Sequence, residues 1–183
     1  MIPVILNFFI FQAAWFITVL SAAFGSPVYG PFFTLLWIFF HLGVSVKNRI
    51  PELSLLIFAA TIGYIFDSVQ VLFGVMGFPE QAALGSPSPI WMIALWINLA
   101  ATLNLSMKWL QGKLIVSAIL GAIAGPAAYY AGSKLGALTL FGPGSMVALS
   151  LQWFIAMPLL VWFAQRQNNQ NTPEFSVLSR EKG

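Results

Sequence analysis

From Val4 onward the chain alternates long apolar stretches with short polar, glycine-rich or proline-rich links. The stretches have about the length, some twenty residues, that a helix needs to cross a bilayer. Hydropathy and chain breakers divide the sequence into about six predicted spans, near Val4 to Phe24, Pro31 to Val46, Leu53 to Gly74, Pro89 to Met107, Leu114 to Tyr130 and Ser145 to Phe163. Ser88-Pro89 reads as an N-cap followed by proline at the first helical position, and Gly142-Pro143-Gly144-Ser145 as a turn that ends in a cap. The links from Met76 to Ser88 and from Ala131 to Ser145 each have room for a short interfacial helix or an extension of the neighbouring span. No internal repeat emerges from the two halves.

Composition turns this pattern into a membrane architecture. Of 183 residues 59% are hydrophobic and 7% charged, with a mean hydropathy of +0.86, whereas a soluble domain has about 45–50% apolar and about 25% charged residues. The expected fold is all-α, a polytopic transmembrane helical bundle over residues 1–165, followed by a polar cytoplasmic tail over 166–183 whose composition predicts disorder. The first apolar run has no basic residue before it and is longer than the core of a secretory signal, so it reads as a retained span. Charge then sets orientation. Lys47, Arg49, Lys108, Lys113, Arg166, Arg180 and Lys182 fall on the side that both termini share, against Lys134 on the other. The positive-inside rule therefore places both termini in the cytoplasm, and in a bacterium the chain in the inner membrane. Because the net charge of +3 reflects this orientation, it gives no reason to expect a nucleic-acid partner. The absence of cysteine excludes disulfides, thiolate metal sites and a cysteine nucleophile.

Helix rise converts residue number into depth, and the polar residues sort into two tiers. Asp67, at the centre of the apolar run TIGYIFDSVQVLFGV, lies roughly 21 Å from the cytoplasmic start of its span, and Gln152 falls at a similar depth. Gln12 and Asn98 fall near the midplane, and Tyr129 and Tyr130 near the outer boundary, so that together they suggest one buried polar cluster. On its own helix Asp67 belongs to a stripe in which Tyr64 and Ser68 lie within about 100° and Gln70 widens the arc to about 160°. This stripe is expected to face protein or a water-filled cavity, because an aspartate facing lipid costs at least about 2.5–3.5 kcal/mol at the centre of a span. Asn7, His41 and Asn104 form the second tier, roughly 6–9 Å from the cytoplasmic helix ends. The difference in depth, roughly 12 Å, separates His41 from Asp67 and argues against a His–Asp dyad. Asp67 can serve in a proton path or as a contact for a polar group, or it can be a hydrogen-bonded linker between helices. The same structural alternative holds for the lone histidine and for each amide.

The fifth span carries Gly121 and Gly125 as a GxxxG pair, followed by Pro126. The pair permits close helix packing, within the bundle or between copies, and the proline is expected to kink the helix and free a backbone carbonyl. No phosphate loop, HExxH, GxSxG or CxxC occurs, and the lone histidine with one intramembrane aspartate cannot build a multi-ligand metal site, so neither metal nor cofactor is expected.

Three stretches taken together, NFFIFQAAWFITVL (Asn7 to Leu20), PIWMIALWINLAATLNLSMKWL (Pro89 to Leu110) and GAIAGPAAYYAGSKLGAL (Gly121 to Leu138), with Asp67 between them, resemble the bacterial domain-of-unknown-function family 2878, a group of small inner-membrane proteins. Where that family's fourth span often reads Leu-Asn-His-Ser, this chain has Leu103-Asn104-Leu105-Ser106. The family brings no established activity. Its members tend to be encoded beside lipid-modifying enzymes such as cyclopropane-fatty-acid-synthase-like proteins, so the resemblance implies a setting in lipid metabolism. The leading expectation is an accessory factor in membrane lipid or fatty-acid modification, in which a polar intramembrane site around Asp67 receives a head group or a partner. A proton-coupled transporter of a small solute and a structural or assembly factor are the alternatives. Membrane lipids are the expected partners, with a second copy or a membrane enzyme beside them. Enzymatic activity is disfavoured, and would rest on Asp67 or His41 as acid or base.

Overall fold

The computed structural model of the chain describes residues 4–46 and 48–170. Six helices account for most of it: α1 (Val4–Ala23), α2 (Tyr29–Phe40), α3 (Arg49–Leu72), α4 (Ile90–Ala100), α5 (Leu114–Lys134) and α6 (Gly144–Gln170). Two short strands, β1 (Met76–Gly77) and β2 (Thr139–Leu140), pair antiparallel with Met76 opposite Leu140. The predicted all-α class therefore holds, with each helix on one predicted span. By length and composition α1, α3, α5 and α6 suffice to cross a membrane, while α2 and α4 are shorter apolar helices. The outward surface is strongly apolar, with Ile50, Phe39 and Phe73 all more than 80% exposed, a surface compatible with lipid contact.

Two spans depart from expectation. Instead of running on to Met107, α4 stops at Ala100, because side chains there compete for the backbone. The Thr102 hydroxyl donates to the Leu99 carbonyl at 2.6 Å, Asn7 Nδ2 donates to the Ala101 carbonyl at 3.2 Å, and Gln111 Nε2 to that of Leu103 at 3.1 Å. Ala100, Ala101, Thr102 and Leu103 are all buried, so the non-helical backbone is enclosed by protein. At its C-terminus α2 widens into a π-helical turn, His41–Ser45.

The second link takes one of the alternatives the sequence left open, an extension of the neighbouring span. Met76 to Ser88 holds β1 and one 3₁₀ turn, Glu80–Ala82, and the second link begins only after α5 has extended to Lys134. Gly74 (φ +65°) ends α3 in a left-handed residue, across which the Val75 amide donates to the Gln70 carbonyl. Gly136 (φ +91°) ends α5 in the same way. The two links thus meet as a layer over one end of the bundle, with Met76, Ala82, Ala137 and Leu138 buried. At the other end α6 continues through Gln170, so the first residues assigned to the tail are helical; residues 171–183 lie outside the described residues.

The helices pack in an arc. α5 packs most extensively on α6, α6 on α3 and α3 on α4; α4 in turn carries α1 and α2, which also pack on each other. The GxxxG face is used within the chain: a Cβ added at Gly121 would lie 2.5 Å from the Trp153 carbonyl oxygen, and one at Gly125 would lie 2.1 Å from the Trp153 ring. α5 runs through Pro126 as one element. Gly125→Leu is expected to destabilise the bundle by about 1–3 kcal/mol through overpacking, whereas Gly43→Ala, with nothing within 4 Å of the added Cβ, should be near neutral. Unfolding of the two purified variants in one detergent gives the comparison.

Candidate functional site

Asp67 is fully buried on α3, and three other helices deliver a donor to its carboxyl. Trp96 Nε1 on α4 donates to Oδ2 at 2.8 Å, while the Tyr129 hydroxyl on α5 and Gln152 Nε2 on α6 donate to Oδ1 at 2.5 and 3.2 Å. Gln70, one turn along α3, donates to Gln152 Oε1 at 2.8 Å and holds that amide in place. Two glycines make the arrangement possible. Gly63 lies one turn before Asp67 and gives the Trp96 indole its seat, since a Cβ there would lie 2.1 Å from the ring. Gly125 lies one turn before Tyr129 and does the same for Trp153. The two indoles stack at 4.5 Å between centroids, with 8° between planes. Every group that meets the carboxyl is a neutral donor. No described side chain brings a positive charge to it.

On the other side of Trp96, Tyr129 and Trp153 lies a groove of about 580 Å³. Its walls are α1, from Phe8 to Val19, and α5, from Leu120 to Gly132; α4 and α6 supply the floor through Leu95, Trp96, Trp153 and Met157. The lining is apolar apart from Gln12, the Tyr129 edge and the indole nitrogens. α1 and α5 stand at the two free ends of the arc and come together near Gly132 and Val19, where an added Cβ on the glycine would meet the valine at 4.0 Å.

At the end of the bundle that holds the first residues of α1 and the last of α6, a second polar cluster forms around Glu52, in the first turn of α3. His41 Nε2 pairs with Glu52 Oε1 at 2.8 Å, and Asn104 Nδ2 donates to Oε2 at 2.7 Å. Gln111 and Asn168 both donate to Asn104 Oδ1 at 2.8 Å. Beside this, Asn7 Oδ1 accepts from the Ser106 hydroxyl at 2.6 Å. The π turn begins at His41, whose ring packs 5.4 Å from that of Trp37 and whose Nδ1 is buried without a described partner. The separation of Glu52 and Asp67 along α3 is about 22 Å.

Of the predicted upper group, Asp67, Gln70 and Gln152 come together. Gln12 instead lines the groove, and Asn98, fully buried, donates to the Phe11 carbonyl at 3.0 Å and so ties α4 to α1. Tyr64 departs from the predicted inward stripe: it is 36% exposed and its hydroxyl reaches the Ser86 carbonyl, because the link before α4 passes over that edge of α3. Tyr130 also points outward and carries Lys134 over its ring. In the lower tier His41 and Asn104 meet through Glu52, which the sequence reading left unweighed. Glu52 had a signal: the short link between α2 and α3 puts the last turn of one and the first turn of the other at the same depth. Trp96 had a weaker one, since its indole N–H is a donor that burial obliges to find an acceptor. Among the described residues no three His, Cys, Asp or Glu side chains gather as a metal site.

A family model described as "Protein of unknown function (DUF2878)" matches residues 4–159. No curated protein and no solved structure matches the chain.

Two substitutions separate the polar clusters. Asp67→Asn keeps the side-chain shape but turns an amide N–H₂ toward a shell of donors, and is expected to cost about 1–3 kcal/mol. His41→Ala removes a hydrogen-bond partner of buried Glu52 and should cost about 3–5 kcal/mol, more than the double replacement His41→Phe with Glu52→Leu. Denaturant unfolding of the single and double variants measures both effects.

Proposed function

The chain belongs to the DUF2878 family, and we propose that it handles membrane lipid by lodging one hydrocarbon chain in the groove between α1 and α5. The observation that carries this reading is the groove itself: about 580 Å³, within the range of about 300–1,000 Å³ usual for ligand sites, and lined almost wholly by apolar side chains. On α5 alone it extends from Leu120 to Gly132, about 18 Å of helix. A solute rich in polar groups would leave them unpaired against such walls. An alkyl chain has none to leave.

In this reading Asp67 receives no head group. It is enclosed, and its work is to position Trp96 and Tyr129, which face the groove. The bundle lies in a bacterial inner membrane with both termini in the cytoplasm. Four long helices cross it, while α2 and α4, with the protein-enclosed segments that flank them, complete two shorter crossings. Held between α1 and α5, the lipid is presented to a membrane enzyme that modifies it, which makes the protein an accessory factor in lipid or fatty-acid modification. Transport coupled to Asp67 has less to support it, because the donor shell already occupies the carboxyl.

The test fills the groove. Ala124 lines it, while neighbouring Ile123 is 65% exposed and outside the lining. Ala124→Trp is expected to lower the lipid that co-purifies with the protein by about tenfold, equivalent to about 1.4 kcal/mol, and Ile123→Trp to leave it unchanged. Lipid mass spectrometry of a deletion strain carrying wild type or either variant should show a lipid species restored by wild type and Ile123→Trp but not by Ala124→Trp. Equal co-purified lipid and equal restoration by all three would sink the reading.

A further inference from the structure

We infer that the groove selects lipids with an anionic, phosphate-bearing head group, which Lys108 and Lys113 hold at its open end; this rests on the hydrocarbon-chain reading above. The two ends of the groove are chemically unlike. One is closed by Trp91 and Leu138, both buried, and by the approach of Gly132 to Val19. Only an apolar chain terminus fits there. The other end carries Met107, Leu110 and Trp109, of which Trp109 is 53% exposed. A lysine flanks that tryptophan on each side in sequence, on the 3₁₀ turn Lys108–Leu110 and at the start of α5.

These two lysines are exposed cations beside an apolar site, and among the described residues no acidic side chain pairs with either. Lys113 Nζ lies 5.6 Å from the centroid of the Trp109 ring, which places its charge at the rim of the groove. Of the acidic side chains in the described residues, Glu52 is engaged by His41 and Asn104, Asp67 lies inside its donor shell, and Glu80 belongs to the loop layer at the closed end. Among the described residues the one contact within 4 Å between a basic and an acidic side chain is His41–Glu52. The loop that bears the lysines is held to the bundle, since the Gly112 amide donates to Gln165 Oε1 at 2.9 Å and Gln111 donates to the Leu103 carbonyl. A lipid whose chain lies along α5 toward Gly132 brings its head group to this rim. Lys113 at this rim, with Lys108 on the adjoining 3₁₀ turn, favours a phosphate that carries net negative charge over a zwitterionic head group of the same chain composition.

The deciding experiment is native mass spectrometry of the full chain, exchanged into an equimolar mixture of phosphatidylglycerol and phosphatidylcholine with identical acyl chains. Wild type, the double variant Lys108→Gln with Lys113→Gln, and Ala124→Trp are compared at low and high salt. The expected result is a preference for phosphatidylglycerol on the order of fivefold for each lysine at low salt, weaker at high salt. The double variant should lose the preference, its phosphatidylglycerol binding falling toward that of phosphatidylcholine, and Ala124→Trp should lose bound lipid of both kinds. A wild type without preference, or a double variant that keeps it, overturns the head-group inference and leaves the groove standing. An Ala124→Trp variant that binds lipid as wild type does overturns the hydrocarbon-chain reading, and the head-group inference with it. Because both lysines are exposed, coincident unfolding curves for wild type and the double variant serve as the check that the fold is unchanged.

Discussion

A carboxyl group with no exposed atom and no cation beside it must be solvated by the protein that encloses it, and Asp67 imposes that requirement on the whole bundle. Facing lipid, it would cost several kcal/mol. Facing inward, it needs donors at one depth from whichever helices surround it. α4, α5 and α6 each supply one, so their positions relative to α3 are fixed by a single side chain. In a bilayer, apolar packing alone would not fix them so well, because lipid tails would solvate leucine and phenylalanine as readily as another helix does.

The opposite end of the bundle completes the assignment. α1 and α2 take no part in the Asp67 shell, but the lower tier engages both of them, His41 from α2 with Glu52 and Asn7 from α1 with Ser106 and the Ala101 carbonyl. The early end of α4 and the polar tier have one cause. Once the helix stops at Ala100, the carbonyls it frees become acceptors for Asn7 and Gln111, and the segment that follows can place Asn104 against Glu52. An α4 continued to Met107 would have satisfied its own carbonyls and left those amides without partners. The broken helix therefore adds a polar attachment of α1 and α2 to their packing on α4 and to the Asn98–Phe11 bond.

The helices were legible in the sequence because they rest on local information: hydropathy sets their length, and glycine and proline set their ends; helix rise likewise put Gln152 at the depth of Asp67, where the two side chains meet. The angular position of a residue about the bundle axis was not legible. Asn98 and Gln12 share a depth with each other and yet belong to different neighbourhoods from Asp67, since depth says nothing about which neighbour a helix face meets. Tyr64 was misassigned for a related reason: the helical wheel groups it with Asp67, but the link that passes over α3 offers its hydroxyl a carbonyl outside the core. Glu52 stands one residue before the span that hydropathy predicts from Leu53, and belongs to a helix only because α3 begins at Arg49. The groove is a property of six helices closing into an arc that leaves its two ends apart, and no local pattern encodes it.

The two glycine seats have a consequence for how this chain can change. Gly63 seats Trp96 and stands one turn before Asp67; Gly125 seats Trp153 and stands one turn before Tyr129; and the two indoles rest on each other. The α3–α4 hairpin and the α5–α6 hairpin thus meet at matching positions, each offering a glycine, a polar partner and an aromatic ring. A side chain gained at either glycine displaces its own indole, and through the stack the other one as well. Drift at these four positions is consequently constrained to concerted replacement: glycine and tryptophan must vary as coupled pairs across both hairpins, while the apolar residues around them remain free to vary singly.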